Sequence, residues 1–334
     1  MESDTLGKYN TASSICNKVW LKIKDKVIKE NERNLNTLTK FGNMLIINEL
    51  NSVYKKEKEK HIAFPLSICL NNCIGNYIYD EEPLDKNENL IKDDDIIKVE
   101  LGISIGGCIS ILAETFTVNI NKEIENINEF LGKLQKTLLK KIKHEECADE
   151  IRIFIESQCT YNNIFPVENC ISYQHDISEL ANDSLKYMIL NYHKYYDKDD
   201  YLIGPENINY EFEENDIYTI NLSVIPIRDD IDDNSIRYKQ SDDTYIYRIN
   251  DLFHSLKLKS SKIFYNQVKK DHKNYAFNIT PYISDIKNRI GIKECIDKNV
   301  MEKYPITYIK PVDIPVIVKK FTIFVGKEKS ILLK

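Results

Sequence analysis

The chain has 334 residues, with 46 Lys and Arg against 52 Asp and Glu and a net charge of −6, so its overall field does not announce a nucleic-acid binder. Hydrophobic residues at 42% and charged residues at 29% exclude a disordered polymer and leave material for a sizeable core. No Pro/Gly/Ser-rich linker divides the chain, no stretch approaches the ~20 apolar residues of a membrane span, and Met1-Glu2-Ser3-Asp4-Thr5 lacks an apolar leader core. A single soluble, intracellular domain over residues 1–334 is expected.

In chain order, residues 11–29 place Ile15, Val19, Trp20, Ile23, Val27 and Ile28 at helical spacing. Residues 35–54 repeat the pattern with Leu38, Phe41, Leu45, Ile46 and Leu50, then run into the charged segment 55–60. Strands are predicted at 62–70, 96–105 and 108–120, the last two joined as a hairpin through Gly106-Gly107. Residues 80–95 read as an acidic, solvated loop.

A helix over 124–144 carries Ile127, Phe130, Leu131, Leu134, Leu138 and Ile142 on one side and Lys133, Lys136, Lys140, Lys141 and Lys143 on the other. Another follows at 148–158, and strands return at 217–226, 306–309 and 314–325. Helices followed by paired strands in each half, without a short repeat, predict an α+β sheet flanked by helices.

Cys16, Cys69, Cys73, Cys108, Cys147, Cys159, Cys170 and Cys295 form no CxxC pair, as expected of free thiols in a reducing cytosol. Cys69 and Cys73 could in principle ligate zinc, but no second Cys/His pair stands at ligand spacing, and buried thiols are expected. There is no P-loop or GxGxxG after a strand, and the histidines show no HExxH spacing. Asp229, Asp230, Asp232 and Asp233 lack the Gly and terminal Glu of a calcium loop and read as an exposed turn.

Charge is concentrated between Arg237 and Lys273, where nine basic residues face four acidic ones, with Tyr238, Tyr245, Tyr247, Phe264 and Tyr265 interleaved. Lys257 and Lys259, two apart, would share one face of a strand. Such a surface either neutralises phosphates through counterion release or is a lysine-protected edge strand. The residues alone leave both open.

Ile62-Ala63-Phe64-Pro65-Leu66-Ser67-Ile68-Cys69-Leu70-Asn71-Asn72-Cys73 and Lys98-Val99-Glu100-Leu101-Gly102 are joined by three further anchors. These are Thr115-Phe116-Thr117-Val118 after the glycine hairpin, Leu256-Lys257-Leu258-Lys259-Ser260-Ser261-Lys262, and Arg289-Ile290-Gly291-Ile292-Lys293-Glu294-Cys295 with Phe321-Thr322-Ile323 beyond. In this order they resemble the type II methionine aminopeptidases, and more closely the proliferation-associated, ErbB-receptor-binding branch that lacks peptidase activity. The resemblance implies the pita-bread (creatinase/aminopeptidase-like) fold, an antiparallel sheet flanked by helices, with a small basic insert at residues 229–275.

Aminopeptidases of this fold hold two metal ions with two Asp, one His and two Glu, assisted by a further His. Carried over by motif, the Asp positions fall at Glu100 and Ile111, the ligand His at Tyr173, the Glu positions at Asn221 and Lys320, and the assisting His at Asn76. Two neighbouring divalent ions need anionic bridging oxygens, and Lys320 would set a positive charge where a cation belongs. Shifting the alignment by two residues brings in His175 but leaves Ile111, Asn221 and Lys320. The resemblance therefore implies vestigial positions only, with no catalytic residues, no metal and no cofactor.

The same branch sits on the large ribosomal subunit. That implies a monomer binding rRNA and exit-rim proteins at the peptide-tunnel exit, in subunit maturation or export, translation control or ribosome quiescence. The place would be the cytoplasm, with passage through the nucleus allowed. Candidate RNA contacts are Arg248, Lys257, Lys259, Lys262, Lys269 and Lys270, of which Lys257, Lys259 and Lys262 match basic positions of the family's insert. The lysines of 55–60 and 133–143 are secondary candidates. The Lys-rich tail of larger relatives has no counterpart, so roles tied to it are not expected. A peptide-binding module using the old cleft, an aminopeptidase with an unorthodox metal site, and a regulator acting on transcription or free RNA are the alternatives.

Overall fold

Alternation of apolar and polar residues builds the central sheet. In β3 (Ile96–Ile105), Ile97, Val99, Leu101, Ile103 and Ile105 alternate with Lys98, Glu100, Gly102 and Ser104. The first set packs into an apolar cluster and the second faces the other way. Gly106 and Gly107, both at positive φ (59° and 81°), turn β3 tightly into β4 (Cys108–Thr117), with Ile105 opposite Cys108.

The computed structural model describes residues 3–79, 89–175, 185–191, 208–227, 236–250, 255–283 and 286–334. Its main sheet is antiparallel, in the order β1 (Lys60–Leu70), β3, β4, β14 (Ile317–Phe324), β8 (Ile217–Pro226), β6 (Cys170–His175), β7 (Tyr187–Leu190). β5 (Ile164–Pro166) joins β8, β15 (Ile331–Leu332) joins β14, and β2 (Cys73–Gly75) leaves for a smaller sheet.

Each half of the sheet carries a helix pair. On one side α1 (Ser3–Ile28) and α2 (Leu35–Ser52) bury Val19, Ile23, Leu38 and Ile46 against Val99, Leu101 and Ile103. On the other, α3 (Lys122–Lys141) buries Ile124, Ile127, Leu131, Leu134 and Leu138, and α4 (Ala148–Tyr161) buries Ile151 and Ile155, with Tyr218, Ile220, Leu222 and Ile323. Asn34 and Asn121 cap α2 and α3 by accepting from the amides of Thr37 and Ile124.

Two small sheets lie beyond this framework, β11 (Phe277–Asn278), β10 (Ile246–Ile249), β12 (Met301–Tyr304) and β2, β13 (Thr307–Lys310), β9 (Arg237–Gln240). With α5 (Lys259–His272), α6 (Thr280–Ile283) and α7 (Ile286–Asp297), β10, β11 and β12 enclose their own apolar cluster, including Phe264, Val268, Phe277, Ile292 and Cys295. The strand face expected for Lys257 and Lys259 is not formed: Lys259 opens α5. Ser261, Phe264 and Val268, buried at helical spacing, override the local period of two. The acidic cluster at residues 229–233, most of the acidic loop and the start of the basic insert lie outside the described residues.

No helix among the described residues is long and apolar enough to cross a membrane.

Candidate functional site

Strand register sets the vestigial positions side by side. Glu100 pairs with Ala113, Ala113 with Lys320 and Lys320 with Asn221, forming one row across β3, β4, β14 and β8. In the next row Gly102 lies opposite Ile111, Thr322 opposite Thr219, and Thr219 opposite Tyr173. Thr322 Oγ1 joins its two halves, accepting from the Ile111 amide at 2.9 Å. Asn76, after β2, donates from Nδ2 to the Pro305 carbonyl at 2.9 Å.

At the centre, Lys320 Nζ donates to Glu100 Oε1 at 2.6 Å, and only 19% and 9% of the two side chains are exposed. The ammonium thus occupies the carboxylate's bonding direction. Asn221 accepts from the Ser223 hydroxyl at 2.7 Å, a neutral contact within its own strand. Ile111 is buried among Ala63, Phe64, Ile78 and Tyr275, and its Cδ1 would lie 2.2 Å from a Cβ placed on Gly102. Lys98, a second buried cation on this face, donates to the Asn71 carbonyl at 2.6 Å, and burial pushes its pKa down to about 8.

Tyr173 is half-buried beside His175, with ring centroids 5.3 Å apart, and desolvation pushes its phenol up. His175 meets Thr219 Oγ1 at 2.8 Å, and burial lowers its pKa to about 4, keeping it neutral. It lies two residues along β6 from the row that Tyr173 occupies. Two divalent ions do not fit these residues. Glu100 is the one carboxylate among the six aligned positions, it is already paired, and an ammonium stands where a second bridging oxygen is needed. Among the described residues no group of three or more His, Cys, Asp and Glu converges as a metal site.

The basic candidates separate into two kinds. Arg248 belongs to β10, directly across from Glu302 of β12, and donates to its carboxylate from Nε at 3.0 Å and Nη2 at 2.5 Å. With 15% of its side chain exposed, its guanidinium is held in this pair. Lys257, Lys259, Lys262, Lys269 and Lys270 are all exposed on or beside α5. Lys269 also lies 5.7 Å from the Tyr265 ring, and Lys273 pairs with Glu59 of the main body.

Two distant sequence motifs turn out to be one structural unit. Leu258, the N-cap of α5, has no capping side chain. Glu294 of α7 fills that role, accepting from the amides of Lys257 at 2.8 Å and Leu258 at 3.0 Å. Gly291 permits the crossing, since a Cβ there would sit 2.9 Å from the Ser260 carbonyl carbon. Glu294→Ala is expected to raise amide exchange in the first turn of α5 while β3, β4 and β14 keep their protection; hydrogen exchange read by mass spectrometry checks this.

This sheet, its paired helix layers and the row of aligned strand positions define a methionine-aminopeptidase-like protein of the pita-bread fold. Its homologues are the ErbB-3-binding and proliferation-associated proteins. Identity is 23% over 319 residues with ERBB-3 BINDING PROTEIN 1 of Arabidopsis thaliana, covering 93% of this chain and 75% of that protein. It is 25% over 284 residues with Proliferation-associated protein A of Dictyostelium discoideum, covering 81% and 67%. A thermophilic Arx1 structure superposes with a TM-score of 0.79 at 18% identity, over 100% of this chain and 91% of that one. The methionine aminopeptidase of Thermotoga maritima does so at 0.59 and 11%, over 100% and 97%. No family model matches the chain.

Sequence reasoning missed the roles of Lys98, Thr219 and Thr322 on the sheet face and of Glu294 in α7. Strand alternation marks the first, since Lys98 shares parity with Glu100. The others depend on cross-strand register and helix crossing, which no single segment encodes.

Proposed function

We propose that this chain is a catalytically silent relative of the methionine aminopeptidases that binds the large ribosomal subunit near the peptide-tunnel exit, as a monomer and in the cytoplasm. The observation carrying this reading is the Lys320–Glu100 pair in the middle of the old ligand row. It replaces the anionic bridge that a two-ion hydrolase requires with an internally neutral contact. Binding then becomes the function to be accounted for.

The exposed lysines of α5 supply the surface. Lys259, Lys262, Lys269 and Lys270 recur at helical spacing opposite the buried Phe264 and Val268, so the cations line the outward side of a helix anchored through Glu294. Phosphate backbones suit such a row, with affinity that decays with salt, and RNA would be read by shape. The exit-rim contacts, and a role in subunit maturation or export, translation control or quiescence, follow from the resemblance. A vestigial peptide cleft is disfavoured by Ile111 and by Phe64 packed 5.9 Å from the Tyr304 ring, which fill the face above the sheet.

Co-sedimentation of the full chain with purified large subunits over a salt series tests the proposal. Binding at low salt that weakens steadily as salt rises is expected. Absence of binding at every salt concentration contradicts it.

A further inference from the structure

Six of the eight cysteines are buried or half-buried without a thiol partner that would change their chemistry in the way one pair does. Burial pushes Cys108 and Cys170 up to about 11 and Cys159 and Cys295 up to about 12, away from reactivity at neutral pH. Cys69 and Cys73 differ because they flank the turn that ends β1, close enough for each thiol to shift the other's titration.

The turn is clamped on several sides. Asn71, at φ 50°, exchanges hydrogen bonds with Ile96 at 2.9 Å in both directions and donates to Asp95 at 2.7 Å. Asn72 is bound both ways to Ile309, at 2.8 and 2.9 Å. These contacts fix the backbone on both sides of the two sulfurs, which raises their effective concentration for each other. Cys69 also meets the Ser67 hydroxyl at 3.5 Å and lies directly opposite Lys98 in the β1–β3 register. The second thiol, then Ser67 and the Lys98 charge, draw the Cys69 thiol down to about 7.

We propose that Cys69 and Cys73 form a dithiol that peroxide-class oxidants convert to an intramolecular disulfide. Cys69, the thiol drawn down, attacks a peroxide oxygen as thiolate, the O–O bond breaks, and a sulfenic acid forms with release of hydroxide, while burial and the neighbouring sulfur hold Cys73 protonated. Cys73 then gives its proton to the released hydroxide, attacks that sulfur and displaces its hydroxyl, which leaves as water. Two thiols lose two electrons and two protons, and one hydrogen peroxide becomes two waters. A thiol reductant reverses the step by exchange.

The test treats the native full chain with a modest excess of hydrogen peroxide, quenches it, then denatures, alkylates and maps it by mass spectrometry. The tryptic peptide beginning at His61 and ending at Lys86 holds both cysteines and no others. It is expected to lose both alkyl groups and two hydrogens, to recover both after reduction, and to do so while Cys16, Cys159 and Cys295 stay fully alkylated. Cys73→Ser should abolish the two-hydrogen loss; should that variant fail to fold, Cys73→Ala serves the same purpose. Full alkylation of both thiols after peroxide overturns the proposal, as does sulfinic acid at Cys69 beside an alkylated Cys73.

Discussion

Lys320→Ala is expected to destabilise the chain by about 3–5 kcal/mol, the cost of leaving a buried carboxylate without its cation. Glu100 is 9% exposed and bonded to Lys320 at 2.6 Å, and in the variant it must either ionise unpaired or take up a proton. Urea unfolding should show a lower midpoint with an unchanged slope. The double variant Glu100→Gln, Lys320→Met removes both charges and should recover most of the loss, because a buried pair contributes little net stability against an apolar replacement. A Lys320→Ala midpoint equal to that of the parent chain would mean that the pair does not hold the row together.

The second large effect belongs to α5. Lys257→Glu with Lys259→Glu should lower affinity for large subunits about tenfold or more near 0.1 M salt. The variant should also flatten the dependence of log K on log salt by about 1–2 units, since each lost phosphate contact removes roughly 0.7–0.9 of slope. Both side chains are exposed and the helix is capped from α7, so the fold should persist. Arg248→Ala provides the contrast. It breaks the pair with Glu302 and should cost stability of β10 and β12 before it costs RNA affinity. Equal binding by the Lys257/Lys259 variant and the parent chain would remove α5 from the proposed interface.

Much of the architecture was legible in the sequence because each segment spoke for itself. The alternation in residues 96–105, the glycine pair and the run at 217–226 each produced the strand or turn expected. The helix expected at 124–144 forms over Lys122–Lys141, where Ile142 closes it. β6, β7 and the strands of the small sheets other than β13, which was expected at 306–309, went unread, being short segments whose burial comes from neighbours rather than from their own pattern. The α5 start was misread as a strand for a related reason. Leu256, Leu258 and the flanking lysines alternate locally, while the helix is decided by Phe264, Val268 and a carboxylate that lies 36 residues from Leu258.

The site shows the same division. The family motifs pointed to Glu100, Ile111, Asn221 and Lys320; that Glu100, Lys320 and Asn221 share one row, with Ile111 in the next, emerged only with the register of four strands. Arg248 was grouped with the lysines because charge along the chain does not reveal a cross-strand partner. Glu302 supplies it.

Calorimetric titration of chelator-treated full-length chain with Mn²⁺ tests the conversion of the ligand row most directly. Replacement of the metal bridge by the Lys320–Glu100 pair predicts no saturable binding of two ions per chain. Stoichiometric uptake of two ions that disappears in Glu100→Gln would contradict it.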